Sequence, residues 1–283
     1  MSWLPVIITS LVIALVGMYA LRDREREIVV PPPDTLRTDL LYGYYTSHGE
    51  QVAETAGHVN LYWESFWRGI DRAIDDIRAA AMTTVIDVDG YVFSGLDVRP
   101  DAEANVRELF TQLRAAGVLH HVRVIVPCDE PNLGHRNVLH HLPTVVPMLR
   151  RVAAEFAEMD GVMLGVIYAL GKRHEHVELF DIVGADDYGQ RSRVLAPGGI
   201  YDRLRERLRP DQKLWLVPGG YRDCKQDPAP FINYAHTHAD VWAVVPFLWA
   251  DMPWEPFAGI RSLPDMRPLY EAAGRQIVGA ADG

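Results

Sequence analysis

The stretch His121-Val122-Arg123-Val124-Ile125-Val126-Pro127-Cys128-Asp129-Glu130-Pro131-Asn132 decides the fold. A β-branched apolar run is cut off by two carboxylates and then by Pro-Asn. This pattern reads as a β-strand ended by a turn, with acid presented at its C-terminal tip. In parallel α/β proteins chemistry gathers at that end of the strands.

Outward from this strand, short apolar runs alternate with amphipathic stretches. Strands are expected over 40–45, 59–63, 83–88, 122–126, 162–168, 181–188, 213–218 and 241–249. Helices are expected over 51–56, 66–81, 102–116, 145–159, 200–208, 228–238 and 264–277. Within 66–81, Ile70, Ile74 and Ile77 recur at helical spacing. Gly117 follows the 102–116 pattern as a C-terminal cap. The strands are apolar throughout, as parallel strands covered by helices are. Eight strand-then-helix units in roughly 240 residues fit a (β/α)8 barrel. No glycine-rich dinucleotide or phosphate loop opens the first unit, which disfavours a doubly wound sheet.

The barrel is preceded by something different. Residues 3–21 form one uncharged run, followed by Arg22-Asp23-Arg24-Glu25-Arg26-Glu27. At about 1.5 Å per residue the run nearly spans a hydrocarbon core of about 30 Å. No basic residue precedes it and no small-x-small cleavage site follows it, so a transmembrane anchor is favoured over a cleaved signal peptide. The expected organisation is an anchor with its polar stop over 1–27, a proline-rich linker over 28–39 around Pro31-Pro32-Pro33, and a barrel over 40–283. The protein would be single-pass. The arginines after the span argue for a cytoplasmic barrel, and a hydrolase behind an anchor argues for a periplasmic or extracellular one.

The net charge of −10 over 283 residues argues against a nucleic-acid partner. Cys128 and Cys224 are the only cysteines. Two buried thiols are expected rather than a bridge. The histidine groups His120-His121, His140-His141, His174-Glu175-His176 and His236-Thr237-His238 are not expected to bring three ligands to one metal, and no cofactor motif is present, so neither metal nor cofactor is expected.

In a barrel the strand tips share one mouth. The tips offer Tyr44, Tyr45 and His48 from the first strand, Trp63 and Glu64 from the second, and Asp87, Asp89 and Tyr91 from the third. The fourth offers Asp129, Glu130 and Asn132, the fifth Tyr168, and the sixth Asp186, Asp187 and Tyr188. Tyr221 and Arg222 come from the seventh, and Trp249 and Asp251 from the eighth, with Trp254 beyond. Carboxylates can supply acid and base, while flat rings stack on sugars. Trp215 and Trp242 lie within strands and read as packing residues.

Here the chain resembles the (β/α)8 glycoside hydrolases. Asp129-Glu130-Pro131-Asn132 is similar to their acid-Pro motif at the fourth strand. The run from Asp181 to Tyr188 resembles their sixth-strand segments, and Phe247-Leu248-Trp249-Ala250-Asp251 their Trp-bearing eighth strand. The resemblance implies cleavage of a glycosidic bond in a polysaccharide or glycan, with Glu130 as general acid/base. One departure stands out. Where the best-known clan carries a nucleophilic Glu at the seventh-strand tip, this chain reads Val217-Pro218-Gly219-Gly220-Tyr221. The second carboxylate is then expected from Asp187 or Asp186, with Asp87, Asp89 and Glu64 behind them. The missing acid also motivates two other readings: an inactive barrel that binds glycan or a protein partner, and a metal-dependent hydrolase using Asp and His at the mouth.

Overall fold

The computed structural model describes residues 36–45, 52–133, 137–169, 174–186, 188, 194–252 and 258–281. The expected anchor, most of the linker, His48, Asp187 and Trp254 lie outside these residues. No helix among the described residues is long and apolar enough to cross a membrane.

Eight parallel strands form the sheet: β1 Leu41–Tyr42, β2 Leu61–Glu64, β3 Thr83–Asp87, β4 Val122–Val126, β5 Met163–Ala169, β6 Ile182–Asp186, β7 Lys213–Val217 and β8 Val241–Val244. Their order is β1-β8-β7-β6-β5-β4-β3-β2. Around them lie α1 Val52–Thr55, α2 Ile70–Ala80, α3 Ala102–Ala115, α4 Leu142–Ala153, α5 Ile200–Arg205, α6 Ala229–Thr237 and α7 Arg267–Ala281. The expected barrel is present, nearly closed. Between β5 and β6 the described residues hold only a 3-10 turn, Val177–Leu179, so the fifth unit departs from the expected strand-then-helix pattern.

The ring is completed between β1 and β2 by a side chain. Asn60 Oδ1 accepts from Tyr42 N at 2.7 Å, Asn60 N donates to Tyr42 O at 3.0 Å, and Asn60 Nδ2 donates to Leu40 O at 3.2 Å. Gly43 lets the strands approach there, since a Cβ on it would lie 2.1 Å from Leu61 O.

Alternation along the strands divides the core in two. Inward residues Leu61, Trp63, Val85, Val124, Val126, Ile167, Ile182, Trp215, Val217, Ala243 and Val245 fill the barrel. Outward residues such as Tyr42, Tyr62, Ile125, Val183 and Leu216 pack under the helices. Trp215 plugs the interior as expected. It donates from Nε1 to Val166 O at 2.9 Å. Its ring occupies the space that a Cβ on Gly165 or Gly184 would need, at 2.5 and 2.1 Å.

Several element ends moved for local reasons. α2 begins at Ile70 rather than 66, because Phe66 and Gly69 both have positive φ, 57° and 86°. α3 ends where expected: Gly117 at φ 73° lets Val118 N reach Leu113 O at 3.0 Å. α4 stops at Ala153, short of the expected 159. Phe156 turns extended there and packs edge-on to Phe110, with ring centroids 5.6 Å apart. β8 stops at Val244, just before Pro246, which has no N–H to give to a ladder. The Phe247-Leu248 peptide just beyond is cis.

Candidate active site

Glu130 sits past the end of β4 in a left-handed conformation, with φ 42°. Such backbone is costly for a residue with a Cβ and persists only where its surroundings hold it. Two contacts do so. Leu133 N donates to Glu130 O at 2.9 Å. The buried Asn132 amide then docks on the tip of β5, with Nδ2 donating to Ala169 O at 2.9 Å and Oδ1 accepting from Ala169 N at 2.8 Å. Asn132 thus extends the β4–β5 ladder with its side chain. It was expected to bind substrate; its polar atoms are instead occupied by backbone.

The turn aims Glu130 into the mouth. Its carboxyl is hydrogen-bonded to Asp186, at the tip of β6, and lies near Asp129. Burial, followed by the charges of Asp186 and Asp129, pushes the Glu130 carboxyl far above the usual carboxylate range. Burial likewise raises Asp129, to about 7, with Asp186 adding to the effect. The Tyr45 hydroxyl and the Glu130 backbone pull the other way by hydrogen-bonding its carboxylate. Asp186 accepts from the Tyr188 hydroxyl. Asp87, at the tip of β3, holds the loop behind it by accepting from Asp89 N at 2.9 Å. Its charge reaches Tyr45 and Cys128.

An aromatic wall stands beside these acids. Tyr188 stacks on Phe247 at 5.5 Å, Tyr221 meets both edge-on at 5.5 and 5.8 Å, and Tyr45 leans on Phe247 at 5.4 Å. Tyr188, Tyr221 and Phe247 are half-buried, so their rings are partly open to the mouth.

Of the residues expected at the mouth, Glu130, Asp129, Asp186, Tyr188 and Tyr221 come together, with Asp87 close by. Several others do not. Tyr44 and Trp249 face outward, where they pack on each other at 4.7 Å and on His58. Trp249 is fully buried and donates to Glu54 Oε2 at 3.1 Å, so it offers no sugar platform. Glu64 shares its face with Tyr62, whose hydroxyl it accepts at 2.7 Å, and it also accepts from Phe66 N at 2.6 Å. It is therefore a buried loop anchor under α2. Trp63 points inward but is buried against Trp215 and forms the floor. Asp251 ties down the loop after β8, accepting from Gly259 N at 2.8 Å and from the Ser262 hydroxyl at 2.6 Å. Tyr45, one of the expected tip residues, also lies at the mouth, and Phe247 is the mouth residue that the sequence reading passed over.

Both cysteines are free and buried. Among the described residues no three His, Cys, Asp or Glu side chains gather as a metal site. His236 lies at the opposite end of the barrel, where its Nδ1 accepts from Arg37 N at 3.0 Å.

The class defined by these features is a parallel eight-stranded α/β barrel with a mouth of coupled carboxyls and aromatic rings. No protein-family model and no curated protein matches the chain. Solved structures that share its fold include glycoside hydrolases. A β-glucuronidase from Faecalibacterium prausnitzii aligns over 88% of this chain and 49% of its own, at 11% identity and TM-score 0.55. A β-glucuronidase from Bifidobacterium dentium, complexed with coumarin-3-O-glucuronide, aligns over 86% and 46%, at 11% identity and TM-score 0.55. GH5_18 from Bifidobacterium longum subsp. longum, in complex with Manb1-4GlcNAc, aligns over 87% and 78%, at 13% identity and TM-score 0.53. The chain spans about half the length of the β-glucuronidases it matches. The likeness is one of fold.

Proposed function

We propose that the barrel is a glycoside hydrolase-like enzyme acting on a polysaccharide or glycan, with Glu130 as the proton donor. The observation that carries this is the Glu130–Asp186 hydrogen bond in the mouth. A carboxyl held protonated into the neutral range can deliver its proton to a departing glycosidic oxygen. The half-buried rings of Tyr188, Tyr221 and Phe247 offer apolar faces on which a sugar can stack.

Two carboxyls in direct hydrogen-bond contact are closer than the ~5 Å of retaining pairs or the ~6.5–9.5 Å of inverting ones. We therefore give Asp186 the tasks of keeping the Glu130 proton in place and of stabilising positive charge at the reacting carbon. Asp187 is the base or nucleophile in this reading, with Asp129 next in line. We further propose that residues 1–27 anchor the protein in a membrane as a single pass, with 28–39 as the linker to a barrel over 40–283. Extraction of the full chain from membranes by detergent, but not by high salt, is the expected behaviour.

The carboxylate-free tip of β7, Val217 to Tyr221, favours a second reading, an inactive barrel that binds glycan or a protein partner. A glycan panel assayed with the wild type and Glu130→Gln separates the two. Turnover lost in the variant supports the enzyme, and equal turnover in both removes Glu130 from the mechanism. Binding without turnover in either leaves the inactive barrel.

A further inference from the structure

We infer that Tyr201, in the layer of helices outside the barrel, is a positioning residue that fixes the β6 tip where Asp186 meets Glu130. Tyr201 lies in the first turn of α5 and is fully buried. Its hydroxyl donates to Ala185 O at 2.9 Å and accepts from Val217 N at 2.8 Å. In the parallel register Asp186 pairs with Val217. The Ala185 carbonyl and the Val217 N–H are therefore the two groups that a regular ladder would join at this point. The Tyr201 hydroxyl sits on both of them and bridges the tips of β6 and β7.

The Ala185 carbonyl belongs to the same peptide plane as the Asp186 nitrogen. Ala185 faces the helices and Asp186 faces the mouth, so a grip on that plane from outside sets where the inner carboxyl points. A hydroxyl is well suited to this task, because it donates to one strand and accepts from the other. Without it, both backbone groups lose a partner at the strand tips, and the Asp186 peptide is held less firmly. The carboxyl pair has little slack: Asp129 flanks it from β4, Tyr188 from beyond β6 and Tyr221 from the loop after β7. On the outer side, the Tyr201 ring packs toward Tyr234, which Arg205 and Asp202 hold by hydrogen bonds.

This role rests on the reading of Glu130 as proton donor, but its test needs no substrate. Infrared titration of the full chain follows the C=O band of the protonated carboxyl, assigned to Glu130 by its loss in Glu130→Gln. Tyr201→Phe keeps the ring and removes only the hydroxyl. Its Glu130 band is expected to titrate at lower pH than in the wild type, by about half a unit or more, in the same direction as Asp186→Asn. Leu204→Ala, on the same helix and buried, serves as the packing control; it is expected to lower thermal stability and leave the titration in place. A Tyr201→Phe protein that loses stability but titrates like the wild type overturns the inference, and so does an equal shift in Leu204→Ala. A wild type inactive on every glycan while these shifts hold counts against the enzyme and not against Tyr201.

Discussion

Glu130 and Asp186 reach each other from β4 and β6, over the whole width of β5, and share one hydrogen bond. The contact depends on two inward turns: the left-handed backbone of Glu130, and the alternation that points Ile182, Gly184 and Asp186 to the same side. The site is thus made by non-adjacent strands and needs the barrel's curvature to exist.

If Glu130 delivers the proton, Glu130→Gln is expected to lower kcat by about 10²- to 10⁴-fold with little change in KM. Asp186→Asn keeps the donor but removes the charge that holds its proton. The alkaline limb of its kcat profile is expected to move to lower pH. Steady-state kinetics across pH on a turned-over glycoside checks both.

The raised carboxyls have a stability signature. Asp129 titrates near 7 in the folded chain and at about 4 when unfolded. Between those values the folded state holds a proton that the unfolded state has lost, so stability falls as pH rises through the window. Glu130 has the same sign and carries the decline further up. These two carboxyls lower the melting temperature from mild acid toward pH 8, while His58, His121, His174 and His236, whose pKa values burial lowers, act the other way. Glu130→Gln isolates one carboxyl's share: its melting temperature is expected to match the wild type near pH 4 and to exceed it at pH 8. Calorimetry over that range decides the matter, and a variant that tracks the wild type at every pH contradicts it.

Asn132→Ala leaves the buried N–H and C=O of Ala169 without their partners. The expected cost is about 2–4 kcal/mol by chemical denaturation. Because Asn132 lies two residues beyond Glu130, a loss of turnover should accompany it even under conditions where the variant stays folded. Intact turnover in the folded variant would separate the Asn132 clamp from the chemistry.

The wall and the outer cluster make opposite predictions. Tyr221→Ala removes an open ring from the mouth and is expected to raise KM. Trp249→Phe removes the N–H bonded to Glu54 in the layer beneath α7 and is expected to lower stability while leaving KM and kcat as they are. Gly184→Ala drives a methyl to 2.1 Å from the Trp215 ring. It should cost about 3 kcal/mol or more, because the plug has no empty side to move into.

The barrel and its strand tips were legible from the apolar runs and their turn residues, because burial on both faces leaves a continuous hydrophobic signature. Facing was harder to read at strand ends. Tyr44 and Tyr45 are neighbours of one type, and only the register of β1 against β8 decides that Tyr45 enters the mouth while Tyr44 meets Trp249. Glu64 carries the same signal as Asp186, an acid ending a strand, yet one residue of phase sends it under α2. Asn132 followed an acid-Pro pair and looked like a ligand; its partner on β5 is remote in sequence. Tyr201 left no trace in the pattern, since a tyrosine early in a helix reads as ordinary packing.

The amide of Asn60 has a mechanical consequence. Seven of the eight junctions in the ring are ladders of backbone bonds, while the one between β1 and β2 hangs on a residue at the edge of β2. Under thermal load such a hoop gives way at its clasp. Asn60→Ala should therefore hasten amide hydrogen exchange in β1 and β2 while β5 to β7, stitched on both sides, keep their pace. The first motion of unfolding is then an uncurling of the sheet from this seam, and Tyr45, carried on the loosened edge, is the first of the mouth residues to lose its place.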